Sequence, residues 1–115
     1  MLFRSDQPCD LSNGKGNAYR HALWNALSAT RIGNELTERL TNAHEDWDGN
    51  PELAREMDLH NNAEGREIAN SNSSNSLSEQ VMDALLNGDL EYITNLNIIE
   101  GCKITLSSEL VPTNQ

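Results

Sequence analysis

Apolar residues recur at helical spacing in four stretches of the chain. From Asn17 to Ile32, the residues Ala18, Tyr19, Ala22, Leu23, Ala26, Leu27 and Ala29 form one arc, and Gly33 supplies the stop. Asn34 is placed to cap a second helix, Glu35 to about Asp46, with Leu36, Leu40 and Ala43 on its inward face. Asp48-Gly49-Asn50 is turn chemistry, and Pro51 suits the first position of a third helix reaching Asn70. Ser76-Leu-Ser-Glu79 matches a capping box, so a fourth helix starts near Leu77 and ends at Asn87-Gly88. Beyond it, Tyr92-Ile93 and Lys103-Ile104-Thr105-Leu106 read as short strands.

The expected architecture is a mainly all-α, four-helix orthogonal or bundle-like domain with a short extended C-terminal appendix. Residues 1–115 make one domain. It divides into an irregular arm (1–16), three helices (17–70), a polar linker (71–76), a fourth helix (77–88) and an extended tail (89–115).

Polar residues interrupt this pattern where it should be apolar. On the third helix, Leu53, Ala54, Met57, Gly65, Ile68 and Ala69 share a face. At about 100° per residue Asp58 and Asn61 point into its middle, with Asn62 at its edge. A carboxylate and an amide there are costly unless paired. Chains accept that cost most often at functional sites. Gly65 follows Asn61 by four residues on the same face, as a close helix crossing or a local kink would require. On the first helix, Asn17, His21, Trp24, Asn25 and Ser28 gather opposite the apolar arc, flanked by Arg20 and Arg31. A solvated face would carry Lys and Glu instead. His44 borders the buried side of the second helix, with Glu45 next to it; a histidine there also suits the helix dipole. His60 falls on the solvated side of the third helix.

Charge and composition narrow the function. The formal net charge is −10, from 18 acidic and 8 basic side chains, which argues against gripping nucleic acid through its phosphates. No apolar run is long enough to span a bilayer. The first residues lack the apolar core of a signal peptide. As given, the chain reads as a soluble domain or as a fragment cut from a longer secreted protein. Cys9 and Cys102 admit two readings. They are two separate buried thiols, or a bridge closing a long loop, worth about 3–5 kcal/mol.

His21, His44, Glu45 and Asp58 are the candidate catalytic groups, because a histidine oriented by a carboxylate is a general base suited to neutral pH. Arg20, Trp24, Asn25, Asn61, Asn62 and Arg66 are the candidate substrate-binding residues, as donors to an oxyanion, phosphate or carboxylate. His21, His44 and Asp58 are candidate ligands for a divalent metal such as zinc, although no HExxH or paired CxxC is present. No Ser or Cys stands out as nucleophile, so water is the expected attacking group and hydrolysis the expected reaction.

Four blocks also carry a resemblance: Asn17-Ala-Tyr-Arg-His-Ala-Leu-Trp-Asn25, Ala43-His-Glu45, Met57-Asp-Leu-His-Asn-Asn-Ala-Glu-Gly-Arg66 and Leu110-Val-Pro-Thr-Asn114. In this order they resemble a domain family, with no assigned activity, of bacterial secreted and polymorphic-toxin-type proteins, often a C-terminal module. The resemblance implies that Arg20, His21, Trp24, Asn25, His44, Glu45, Asp58, Asn61, Asn62 and Gly65 belong to one site. It implies an effector acting on a small or cell-envelope substrate, with a cognate immunity protein as a partner. The Arg20-His21 pair also resembles the bacterial phospholipase A2 helix, but Ala22 stands where that family has Asp. A lipid hydrolase remains an alternative. So does an acidic, immunity-like or other protein-binding module, and so does a domain whose polar network only fixes helix register.

Overall fold

The computed structural model describes residues 9–71 and 73–115. The arm before Cys9 and position 72 of the polar linker lie outside the described residues. Among those described, four helices carry the fold: α1 (Lys15–Ile32), α2 (Asn34–Glu45), α3 (Glu52–Ala69) and α4 (Leu77–Asn87). Two three-residue strands, β1 (Glu91–Ile93) and β2 (Leu110–Pro112), form a small antiparallel sheet. The domain is mainly α, as the periodicity predicts. Among the described residues, no helix is long and apolar enough to cross a membrane.

The helix ends follow local chemistry. The Ser76 hydroxyl accepts from the Glu79 backbone N–H at 3.2 Å, the first half of a capping box, and donates to the Glu79 carboxylate. Gly88 ends α4 in the left-handed region at φ 82°. Asn34, expected as a cap, is instead the first residue of α2, and no side chain caps that end. Gly33 serves both helices: its N–H donates to Ala29 O, and its carbonyl accepts from Thr37 N. Its φ of 91° lets the chain turn within a single residue.

α1 is the central element, with α3 on one side and α4 on another. Ala18, Ala22 and Ala26 pack with Val81, Ala84, Leu85 and Leu90 in the main core. Gly65 lies directly under the Ala22 carbonyl, where a β-carbon would collide with the backbone. That close crossing is why Gly65 occupies a helix interior despite its cost of about 1 kcal/mol against Ala. A second cluster, Ala54, Met57 and Ile93, ties α3 to the sheet.

Two further expectations are overturned. α2 does not bury Leu36 and Leu40, which are 45% and 57% exposed, and Ala43 is exposed as well. It buries Thr37, Thr41 and Glu45 instead, one residue further round the helix. The reason is what α2 faces: a surface containing His21, Asp58 and their amide partners, which accommodates short polar side chains and a carboxylate. The tail also pairs differently. Residues 103–106 form no strand, and Lys103 makes only an isolated bridge with Asn97. The hydroxyls of Thr105, Ser107 and Ser108 bond one another and the Asn95 carbonyl, competing with a strand ladder. The partner of β1 is β2, with Tyr92 opposite Val111. Thr113 then locks the tail by donating to Leu85 O at 2.6 Å.

Candidate functional site

Three consecutive helices each contribute one side chain to a single point. His21 from α1, Glu45 from α2 and Asp58 from α3 have ligand atoms all within 4.8 Å of one another. His21 Nε2 lies 3.5 Å from Asp58 Oδ1. Glu45 is only 3% exposed, and His21 and Asp58 expose 17% and 13% of their side chains. The local cause is register. Glu45 follows Thr37 and Thr41 at four-residue steps on the buried row of α2. Asp58 sits one residue from buried Met57, and His21 one residue from Ala22, so the Gly65–Ala22 crossing sets their separation.

Amides hold the imidazole. Asn62 Oδ1 lies 3.1 Å from His21 Nδ1 and accepts from Asn25 Nδ2 at 2.7 Å. Asn25 Nδ2 also donates to the His21 carbonyl. With Asn62 presenting an oxygen, neutral His21 carries its proton on Nδ1. Nε2 is then a lone pair facing the carboxylates.

Burial dominates the electrostatics. It lowers the His21 pKa, against the opposing pull of Asn62 and Glu45. Burial, then the neighbouring Asp58 carboxylate, pushes Glu45 up to about 7. Burial likewise raises Asp58 to about 6, while Glu45 and the Arg20 charge oppose the rise. Near neutral pH Glu45 sits close to half protonation and Asp58 titrates just below, a range in which groups exchange protons readily.

The cluster opens into a cavity of about 630 Å³. Its far wall is Ser12, Asn13, Lys103 and Ile104, brought together because Cys9 and Cys102 are bridged, with Cα atoms 5.6 Å apart. None of these wall residues stood out as a site residue in the sequence. The only signal that could have found them was the cysteine pair, once read as bridged. A second cavity, about 310 Å³, lies between Arg20, Trp24 and His44 and shares His21 with the first.

The other candidates divide. His44 lines both cavities, but its ring meets Trp24 edge-on at 6.3 Å and stays outside the three-residue cluster. Arg20 is tethered to Leu11 O and Asn17 Oδ1 at the rim of the smaller cavity. Asn61 is directed elsewhere: its side chain donates to Glu91 O and accepts from Glu91 N, clamping β1 onto α3. Arg66 is buried near the end of α3 and lines neither cavity. His60, expected on the surface, is half-buried and meets Asp89 O. Ala22, beside His21, is wholly buried against Gly65, so the carboxylate next to His21 comes from α3 rather than from the following residue.

The fold and this centre define a small helical domain with a buried histidine–dicarboxylate cluster. Residues 3–91 match the model of a family described as a domain of unknown function, DUF6973, and the chain belongs to that family. The match spans His21, Glu45 and Asp58 and ends at Glu91, the first residue of β1. No curated protein and no solved structure matches the chain.

Proposed function

We propose that the domain is a hydrolase, the effector module of a bacterial secreted, toxin-type protein, acting on a small or cell-envelope substrate. One observation carries the reading: a histidine and two carboxyl groups from three helices converge, largely buried, beside a cavity large enough for a small substrate. His21 and the two carboxyls supply a general base and a general acid, and water is the nucleophile. Asn25 and Asn62 are positioning residues that fix the imidazole. Arg20 and Lys103 are the cations nearest the two cavities and suit an anionic group on the substrate. The toxin-type assignment rests on the four sequence blocks, and the cognate immunity protein follows from it.

The test is expression in a sensitive cell, together with hydrolysis assays on carboxyl ester, phosphodiester and peptidoglycan-fragment substrates. The wild-type domain is expected to arrest growth and to cleave one of these classes. His21→Ala and Glu45→Gln are expected to remove both effects while the melting temperature holds. Full toxicity from both variants would overturn the assignment.

A further inference from the structure

The groups that meet at the cavity are all electron-pair donors. His21 Nε2 is a lone pair, because Asn62 Oδ1 takes the proton-bearing Nδ1. Asp58 Oδ1 is buried with no hydrogen-bond partner. Glu45, 97% out of solvent by its 3% exposure, receives no N–H from any described residue and opens onto the same cavity. Arg20, the nearest guanidinium, is committed to Leu11 and Asn17. With both carboxyls ionised, three acceptors face one another and repel unless a cation lies between.

We propose that His21 Nε2, Glu45 and Asp58 bind one first-row divalent transition-metal ion, Zn²⁺ being the best fit. A four-coordinate ion with bonds of about 2.1 Å holds its ligands roughly 3.4 Å apart. The three donor atoms lie within 4.8 Å of one another, so small rotations of the two carboxylates complete the approach. Three protein ligands leave a fourth position open toward the cavity, the arrangement of catalytic rather than structural zinc sites. One imidazole with two carboxylates suits Zn²⁺ or Mn²⁺ better than a soft ion, and imidazole disfavours Ca²⁺. Asn62 on Nδ1, itself held by Asn25, is the outer hydrogen bond that fixes a ligating histidine. Glu45 thus takes the place the sequence offered to His44, whose ring is turned to Trp24.

The proposal concerns the same side chains as the hydrolase reading and rests on it only for what a bound ion would do. Its test therefore uses no substrate. Chelator-stripped protein is titrated with ZnCl₂ by calorimetry and followed by thermal melting, with MgCl₂ and CaCl₂ as comparison ions. The wild-type chain is expected to take up about one Zn²⁺ and to melt at a higher temperature with it. Glu45→Gln and Asp58→Asn, which keep the shape, should each weaken Zn²⁺ at least about 100-fold. Asn62→Ala should weaken it about 10- to 100-fold. His60→Ala should bind as wild type, since His60 sits at the α3–β1 junction. Should a variant fail to fold, Co²⁺ uptake by the wild type decides: an intense four-coordinate visible spectrum supports the site, and the pale six-coordinate spectrum overturns it. Zn²⁺ binding that survives in the Glu45→Gln, Asp58→Asn double variant, or that His60→Ala abolishes, also overturns it. Hydrolysis that persists in stripped protein unable to bind Zn²⁺ would sink the metal site and leave the hydrolase standing. Tight Zn²⁺ binding with no substrate cleaved would do the reverse.

Discussion

The two sides of α1 are built on opposite terms. Toward α4 it presents Ala18, Ala22 and Ala26 to Val81, Ala84, Leu85 and Leu90, a contact made of hydrocarbon. Toward α2 and α3, beside the Ala22–Gly65 crossing, it presents His21 and Asn25 to Glu45, Asp58 and Asn62, a cluster of polar groups. Apolar burial stabilises in proportion to area, at roughly 25 cal/mol per Å². Buried carboxyls return little of their desolvation cost unless a proton or cation joins them. One helix therefore holds the domain together on one side and tolerates a strained cluster on the other. Changes on the first side should cost stability, and changes on the second should cost function.

The largest effect is expected from Leu85→Ala. Leu85 is 1% exposed in the apolar contact, and its truncation should destabilise the fold by about 3 kcal/mol. Urea denaturation measures it, and zinc affinity extrapolated to the folded state should not change. A loss no larger than that of Asp58→Asn would erase the contrast between the two sides.

Gly65→Ala strikes the hinge between them. Its β-carbon would press into the Ala22 carbonyl, forcing α1 and α3 apart at a cost of about 2–3 kcal/mol. Because His21 and Asp58 ride on those helices, this variant should lose stability and zinc affinity together. Retained affinity would show that the cluster does not depend on the crossing.

Acid should stabilise the polar side of the metal-free protein. Glu45 and Asp58 have folded pKa values of about 7 and about 6, above the ordinary 4.5 and 3.8. The folded state therefore binds more protons, and this contribution is full below about pH 4 and lost as pH rises through 6 to 7. His21, whose pKa is lowered, runs the other way, favouring the fold as pH rises toward 6.5. With two carboxyls against one imidazole, stability in a chelator should fall by about 2 kcal/mol between pH 4.5 and 7.5. Glu45→Gln should flatten this slope, and saturating Zn²⁺ should reverse it. A flat wild-type profile would mean that the carboxyls are not strained.

Asp58→Asn should have the smallest effect on stability, within about 1 kcal/mol of wild type, because it removes a buried charge whose Oδ1 has no hydrogen-bond partner. Calorimetric melting measures it. Destabilisation of about 3 kcal/mol would show that Asp58 anchors helices and would give the network a purely architectural role.

Much of this was legible in the chain. The pattern located all four helices to within about two residues at their ends, because capping, glycine stops and periodicity act over one turn. His21 and Asp58 were legible as site residues because His21 stands on an uncharged polar arc opposite the apolar one and Asp58 stands within an apolar face, whereas Glu45 was legible only as the neighbour of His44, whose place it takes. Gly65 signalled either a close crossing or a kink, and the structure shows the crossing. Asn61 and Asn62 mark the limit. They are adjacent on one helix and alike in chemistry, yet Asn62 turns to His21 and Asn61 clamps Glu91. Nothing local separates them, since each is assigned by what lies across from it.

The sequence by itself determined the four described helices, their ends, the mainly helical class and the helices from which a polar site would be drawn. The tertiary structure alone decided that α2 turns Thr37, Thr41 and Glu45 inward and leaves Leu36 and Leu40 in solvent. It also decided that β1 pairs with β2 and that the cysteine bridge carries the C-terminal loop to the cavity. The physical reason is range. Caps, turns and propensities are settled between residues a few positions apart. The rotation of a helix about its axis and the partner of each buried polar group are settled by residues that meet only once the chain has folded.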